Sequence, residues 1–430
     1  MAVIDHTEIG MINKKFFTSI WTIVSIILIL TGCQSQPAKI NPPPKIEKQS
    51  KMEIQLKRIQ LLREEVKKIP KSSKITAVNR NKTKGIILRL LERAEQTLTG
   101  TLPKPRFDWE RSGYTSPEKM VDQAEKYLNA LKENKDPLAG KFAEPGGTVI
   151  DHALVKKGDT YHLFYIRGKA ATHWPEWPTR NFGHATSKDL INWEIHEPVV
   201  QSAEKGWDEY QVWAPHIVEN NGEYFMLYTG VNYPCSQSIG LAKSKDLYNW
   251  EKIGDGPVIT PGKWGVWQSQ GGADCRDPMM LKVGDTYYCY YTAVRKVEGA
   301  NPPHEYCVGI SSSKDLLNWK DEGFARLETS LKTPPESPFA VEKNGKFYLF
   351  YTSYGHGTVV AVSDDPVKGW KDLPEDKLVT MAGISASEVL HDGDNWYISL
   401  ISHEPNALHF FEIRKLVWHD DGTITTESID

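Results

Sequence analysis

The chain predicts an all-β domain built as a five-bladed propeller behind a small helical region. Two observations predict it. From Gly147 onward one strand pattern recurs five times: GDTYHLFYI, NGEYFMLYT, GDTYYCYYT, NGKFYLFYT and GDNWYISLI, each behind a two-residue turn signal. The turn glycines Gly158, Gly222, Gly284, Gly345 and Gly393 are 64, 62, 61 and 48 residues apart, the length of a four-stranded unit. The second observation is a repeated edge, ATSKDLINWE, AKSKDLYNWE and SSSKDLLNWK, with AVSDDPVKGW as a looser fourth. One such unit has too little apolar surface to stand alone, so five must stack around an axis. The repeated Trp193, Trp250, Trp319 and Trp370 then read as packing between blades.

The amino-terminal side divides into shorter pieces. Lys14-Lys15 precede an apolar run, Phe16 to Leu30, too short to span a bilayer and ending in Leu30-Thr31-Gly32-Cys33. This resembles a bacterial lipobox, which implies translation from Met11, a signal peptide over 1–33, lipidation of Cys33 and a protein tethered to the cell envelope outside the cytoplasm. Residues 34–50, rich in Pro, Gln and Lys, read as a disordered tether. Residues 51–140 read as helical. Met52 to Lys68 and Gly85 to Leu98 show helical apolar spacing, which suits packing on the main domain or association, while the Lys/Arg excess of the first also suits a solvated helix. Ser116-Pro117 starts a third, with Met120, Ala124, Leu128 and Leu131 on one face. The propeller takes 147–430.

Composition narrows the partners. A formal net charge of −3 over 430 residues predicts no nucleic-acid partner. Trp (14) and Tyr (18) are plentiful; most fill a core, and a surplus presents flat faces suited to sugars. After Cys33 four cysteines remain, Cys235, Cys275, Cys289 and Cys307, without the CxxC spacing of a zinc site. An exported chain permits disulfides among them, although Cys289 sits in an apolar strand pattern as a core residue.

In a propeller the first strand of each blade lines the central channel, so the starts of those strands converge. Seven residues before the turn glycine lie Asp151 in blade one, Pro215 in blade two and Asp277 in blade three; Glu336 lies nine before it in blade four. Three carboxylates at one mouth suit the hydrolysis of a glycosidic bond. That reaction needs a protonated acid for the leaving oxygen and an ionised carboxylate for water or the anomeric carbon. A third carboxylate orients the acid and raises its pKa by like-charge repulsion.

Ile150-Asp151-His152, Val212-Trp213-Ala214-Pro215, Cys275-Arg276-Asp277-Pro278 and Pro335-Glu336-Ser337-Pro338-Phe339, with the SKDLxNW edges, resemble the clan of glycoside hydrolase families 43 and 32 over roughly 270 residues. Carried over by position, family 43 implies inversion, with Asp151 as general base, Asp277 as orienting carboxylate and Glu336 as general acid. Family 32 implies retention, with Asp151 as nucleophile, Glu336 as acid/base and Asp277 stabilising the transition state. Asp151 is followed by His152 and not Pro, and Trp213-Ala214-Pro215 by His216 and not Asp, which leaves the sugar open.

Location makes His152, Trp213, His216, Arg276, Trp174 and Trp177 candidate sugar contacts, with Trp264 and Trp267 beside them. Arg276 suits either a catalytic carboxylate or an anionic substituent. No cofactor is required. His403 matches the place from which family 43 members point a histidine towards a channel ion or water, so the resemblance allows a structural calcium. The expected substrate is an oligosaccharide or polysaccharide carrying arabinofuranosyl, xylosyl or galactosyl units; a fructosidase, a glycoside phosphorylase and a non-catalytic glycan-binding propeller are the alternatives.

Overall fold

The structure, a computed structural model, describes residues 45–429 apart from 72–74, 103–115, 173–178, 233–234, 269–273, 328–333, 354–355 and 375–383. The apolar run, Cys33, Trp174 and Trp177 therefore lie outside the described residues. Among the described residues no helix is long and apolar enough to cross a membrane.

Three helices come first: α1 (Lys45–Lys67), α2 (Ala77–Thr99) and α3 (Pro117–Lys132). Helix α1 begins at Lys45, inside the stretch expected to be a tether. It is not simply solvated, because Ile59, Leu62 and Val66 are buried against α2 and α3. Helix α2 starts upstream of Gly85, at Thr76, whose hydroxyl accepts from Asn79 N at 3.1 Å. Gly85 sits inside it because the helix there approaches backbone: a Cβ would lie 2.6 Å from Gly146 N. Helix α3 is capped by Ser116 with Pro117 in the first turn, and Met120, Ala124, Leu128 and Leu131 are all buried.

Strand β1 (Lys141–Phe142) leads into four blades of four strands. Blade one is β2 (Gly147–Lys157), β3 (Thr160–Lys169), β4 (Phe182–Ser187) and β5 (Glu194–Val199); blade two is β6 (Gln211–Asn220), β7 (Glu223–Val231), β8 (Gln237–Ser244) and β9 (Glu251–Ile253). Blade three is β10 (Cys275–Val283), β11 (Thr286–Lys296), β12 (His304–Ser313) and β13 (Lys320–Ala325); blade four is β14 (Pro335–Lys343), β15 (Lys346–Ser353), β16 (Gly357–Ser363) and β17 (Lys371–Asp372). Blade five joins β18 (Ile384–Asp392), β19 (Asn395–Glu404), β20 (Leu408–Trp418) and β21 (Ile424–Glu427), and β1 pairs with β20. An early strand thus completes the last blade, which closes the ring. The helices cover this seam: Glu404 on β19 accepts from Tyr127 of α3 (2.6 Å) and from Lys141 of β1 (2.5 Å).

The edge repeat has a local cause. In blade two Asp246 accepts from the backbone N–H of Tyr248 (2.8 Å) and Asn249 (2.7 Å), holding a turn in which Leu247 takes positive φ. Asp189 and Asp315 do the same in blades one and three. The turn aims the tryptophan, whose indole N–H returns to the turn's Leu carbonyl. Trp250 meets Phe164 of blade one edge-on at 5.7 Å, Trp193 meets Phe411 of blade five at 5.6 Å, and Trp370 meets Tyr290 of blade three at 5.9 Å. Trp193, Trp250 and Trp370 therefore pack blade against blade. All four described cysteines carry free thiols.

Candidate active site

Each blade's first strand breaks register with its second at one place. The jumps fall between Val149 and His152, Trp213 and His216, Arg276 and Met279, Glu336 and Phe339, and Ser385 and Glu388. These are β-bulges, two residues facing one, and they re-aim side chains at the channel mouth. In blades two to five the first bulged residue, Ala214, Asp277, Ser337 or Ala386, has positive φ, a costly conformation for a side chain with a Cβ. Blade one has the β-branched Ile150 there, without it.

The bulge corrects the sequence alignment. The three acids do not occupy equivalent positions: Glu336 stands just before its bulge, Asp277 is first in its bulge and Asp151 second. Counting back from a turn glycine could not find this, because blade one has one more residue between bulge and turn than the other blades, and the glycine is second in the turns of blades two and four but first in the others.

A repeated threonine holds the bulges. Thr229 of blade two accepts from Asp277 N of blade three (3.0 Å), and Thr352 of blade four accepts from Ala386 N of blade five (2.9 Å). Between blades three and four, Asp277 itself takes this place. Its Oδ2 accepts from Ser337 N (3.2 Å) and from the Thr292 hydroxyl (3.1 Å), so the carboxylate fixes the backbone next to Glu336. The YT of the repeated strand in blades two, three and four was visible in the sequence but carried no assigned role.

Arg276 ties the acids together. It donates to Glu336 Oε1 at 2.5 Å, its Nε lies 3.4 Å from Asp277 Oδ2, and it is paired with Asp274. Gln237 and Tyr306 complete the shell, the latter donating to Asp274 at 3.3 Å. Asp277 is only 6% exposed, and burial pushes its carboxyl up to about 6, against the pull of Arg276. Burial likewise drives Asp151 well above the ordinary carboxylate range, and the charges of Asp277 and then Glu336 push it further. Glu336 is partly open to solvent, as a group that meets substrate must be.

Other candidates fall elsewhere. Trp213 stays half-buried at the mouth, at the level of Arg276 and Glu336, its indole N–H on Gln211 (2.8 Å). His152 and His216 turn inward, and His152 lines the same narrow cavity as Asp151. Both are buried below the bulge, His152 bonded to Ser399 (2.6 Å) and His216 accepting from Met280 N (3.1 Å), and burial lowers each to about 3, so they are neutral. Trp264 is bound to Asp321 of the outer strand β13, 3.0 Å away, and packs on Phe324. His403 bonds Ser385 (2.6 Å) and packs against His409 at 4.4 Å. Among the described residues no three His, Cys, Asp or Glu side chains could hold a metal ion.

One acid escaped the sequence reading. Glu388, the residue after the blade-five bulge, lines a narrow axial cavity of about 20 Å³ with Asp151 and Asp277. Blade five lacks the Pro found in the bulges of blades two to four, and that departure in Ser385-Ala386-Ser387-Glu388 was the available signal.

A propeller whose channel mouth gathers carboxylates around one arginine defines a class, and comparison with known proteins narrows it. Residues 151–323 match the family model for the glycosyl hydrolases family 32 N-terminal domain, and residues 272–429 that for glycosyl hydrolases family 43. Residues 151–429 are thus similar to the family 32 and family 43 glycosyl hydrolase domains, each model matching part of the chain. It is 29% identical to the sucrose-6-phosphate hydrolase of Escherichia coli over 51% of this chain and 43% of that one. To a bifunctional fructosyltransferase of Allium cepa it is 36% identical over 24% of this chain and 17% of the relative. It thus spans less than half the length of these curated relatives. Among solved structures, a thermostable family-43 glycoside hydrolase shares the fold with TM-score 0.53 at 20% identity, covering 66% of this chain and 93% of that one. The family 32 β-fructofuranosidase of Bombyx mori does so with TM-score 0.53 at 19% identity, covering 73% and 70%.

Proposed function

We propose that the protein is a glycosidase that removes a terminal sugar from short oligosaccharides, with Glu336 as acid, Asp151 as base and Asp277 as the orienting carboxylate. The observation that carries this is the convergence of Asp151, Asp277 and Glu336 from three blades around Arg276. Glu336 gives its proton to the glycosidic oxygen as the bond to the anomeric carbon breaks. Asp151 takes a proton from the water whose oxygen bonds to that carbon, and solvent exchange resets both groups. Asp277, anchored on Ser337 N, keeps Glu336 in place.

The names of the similar proteins favour furanosides. The relatives include β-fructofuranosidases, and a neighbour in fold is an exo-1,5-α-L-arabinanase. An arabinose linked through O5 can only be a five-membered ring, so a terminal pentofuranose or fructofuranose is the substrate class proposed. Arg276 is committed to three carboxylates, which argues against a phosphate or sulfate at this point and hence against phosphorolysis. A retaining mechanism, with Asp151 as nucleophile, is the second reading, favoured by the family 32 match that starts at Asp151.

A panel of aryl furanosides, aryl xylosides and galactosides, and plant oligosaccharides, followed by NMR, tests both. Release of the inverted anomer supports the first reading and of the retained anomer the second; no release from any substrate would sink both. The proposal includes a lipid anchor at Cys33 that places the enzyme on the cell envelope, on the sequence alone. Labelled palmitate entering the full chain but not Cys33→Ser is the expected result, and label in neither would refute it.

A further inference from the structure

We infer that Glu388 is a positioning residue for Asp151: as a neutral carboxyl across the axial cavity, it donates through a single water to the Asp151 carboxylate. The inference rests on the reading of Asp151 as the catalytic base. The cavity of about 20 Å³ has room for one water, and Asp151 and Glu388 both line it. Glu388 is fixed there, because its Oε2 accepts from Leu154 N of blade one at 3.1 Å. Oε1 is then the oxygen that carries a proton.

The charges around it leave Glu388 the neutral member. Asp151, Asp274, Asp277 and Glu336 face the site with one guanidinium, Arg276, already engaged by Asp274, Asp277 and Glu336. The other blades hold His152, His216, Met279 and Phe339 at the level of Glu388, and both histidines are uncharged. No cation among these groups compensates an ionised Glu388. Burial pushes its carboxyl well above the usual range, against the pull of the Leu154 N–H and helped by the nearby Asp151 charge. A neutral acid that donates to a carboxylate stabilises the ionised form, so Glu388 keeps Asp151 available as a base.

The test is kcat/KM against pH for the full chain, Glu388→Gln and Glu388→Leu, on the substrate the panel identifies. Gln keeps a donor, so its acid limb should coincide with that of the unaltered protein. Leu removes the donor, so its limb should move up by about one pH unit, about tenfold in rate below the limb, with KM unchanged. Three coincident limbs would overturn the inference and leave Glu388 as a strut between blades five and one. A downward shift in Glu388→Gln would overturn it too, since it would mean an ionised, repelling Glu388.

Thermal unfolding separates a failure of the functional reading from a failure of this one. A carboxyl whose folded pKa is raised has its stabilising effect below the unfolded pKa, near 4, and loses it as pH rises through the folded value. The Tm of Glu388→Gln minus that of the unaltered protein should therefore climb from pH 5 to 9, whether or not any substrate has been found. A flat difference would show that Glu388 is not held neutral and overturn the inference.

Discussion

Asp246 at the outer edge of blade two and Asp277 at the channel mouth of blade three are the same residue put to opposite uses. Asp246 receives backbone and side-chain hydrogen bonds from Tyr248 and Asn249 at the surface, which hold its carboxyl well below the ordinary range. Asp277 is buried beside Glu336 and sits at about 6. The edge stabilises the charged form and spends it on a turn; the mouth destabilises it and keeps it reactive. The edge is also alike from blade to blade, whereas the residues before the bulges, Val149, Trp213, Arg276, Glu336 and Ser385, differ in every blade. Within a repeat protein, sameness marks the scaffold and difference marks the site.

The largest effects should come from the mouth. Asp151→Asn and Glu336→Gln should each lower kcat/KM by about 10²–10⁴-fold on the best substrate, with unfolding unchanged within a few degrees. Equal activity in either variant would remove that residue from the chemistry. Arg276→Met leaves Asp274, Asp277 and Glu336 without their shared cation, so urea unfolding at pH 7 should show a loss of about 3–5 kcal/mol. A loss below about 1 kcal/mol would show that the acids were not held by it.

Smaller effects belong to the edge. Asp246→Ala should cost about 1 kcal/mol, the worth of a capping carboxylate, and leave kcat/KM unchanged. Its pH dependence has the opposite sign to that of the mouth. Asp189, lowered to about 2 by the N–H groups of Ile191 and Asn192, gives stability above pH 4 that fades as pH falls towards 2. Asp151 must be ionised to act and is raised, so kcat/KM should rise with pH along an acid limb above the usual carboxylate range. A limb near pH 4 would contradict the burial assigned to it.

The fold was legible because its causes are local and repeated. Turn glycines, alternating strands and the SKDLxNW edge each act within a few residues, and their period counts the blades. The identity of the three acids was legible for the same reason, since a charge at a strand start breaks the repeat. Their relative placement was not, because the distance from bulge to turn and the place of the glycine in the turn vary from blade to blade. Glu388, five residues before Gly393, fell outside that count, and the burial of His152 and His216 was not visible, since beside a bulge neighbouring residues go to the mouth and to the core. The Lys/Arg count of helix α1 left its packing open, and Ile59, Leu62 and Val66 at helical spacing decided its burial.

Hydrolysis of one cleaved oligosaccharide by the unaltered chain, Asp151→Asn, Glu336→Gln and Asp246→Ala, measured side by side at one pH, tests the account most directly. Full activity is expected in the unaltered chain and in Asp246→Ala, with a loss of at least about a hundredfold in the two mouth variants. Mouth variants as active as the unaltered chain, or an edge variant as damaged as they are, would contradict it.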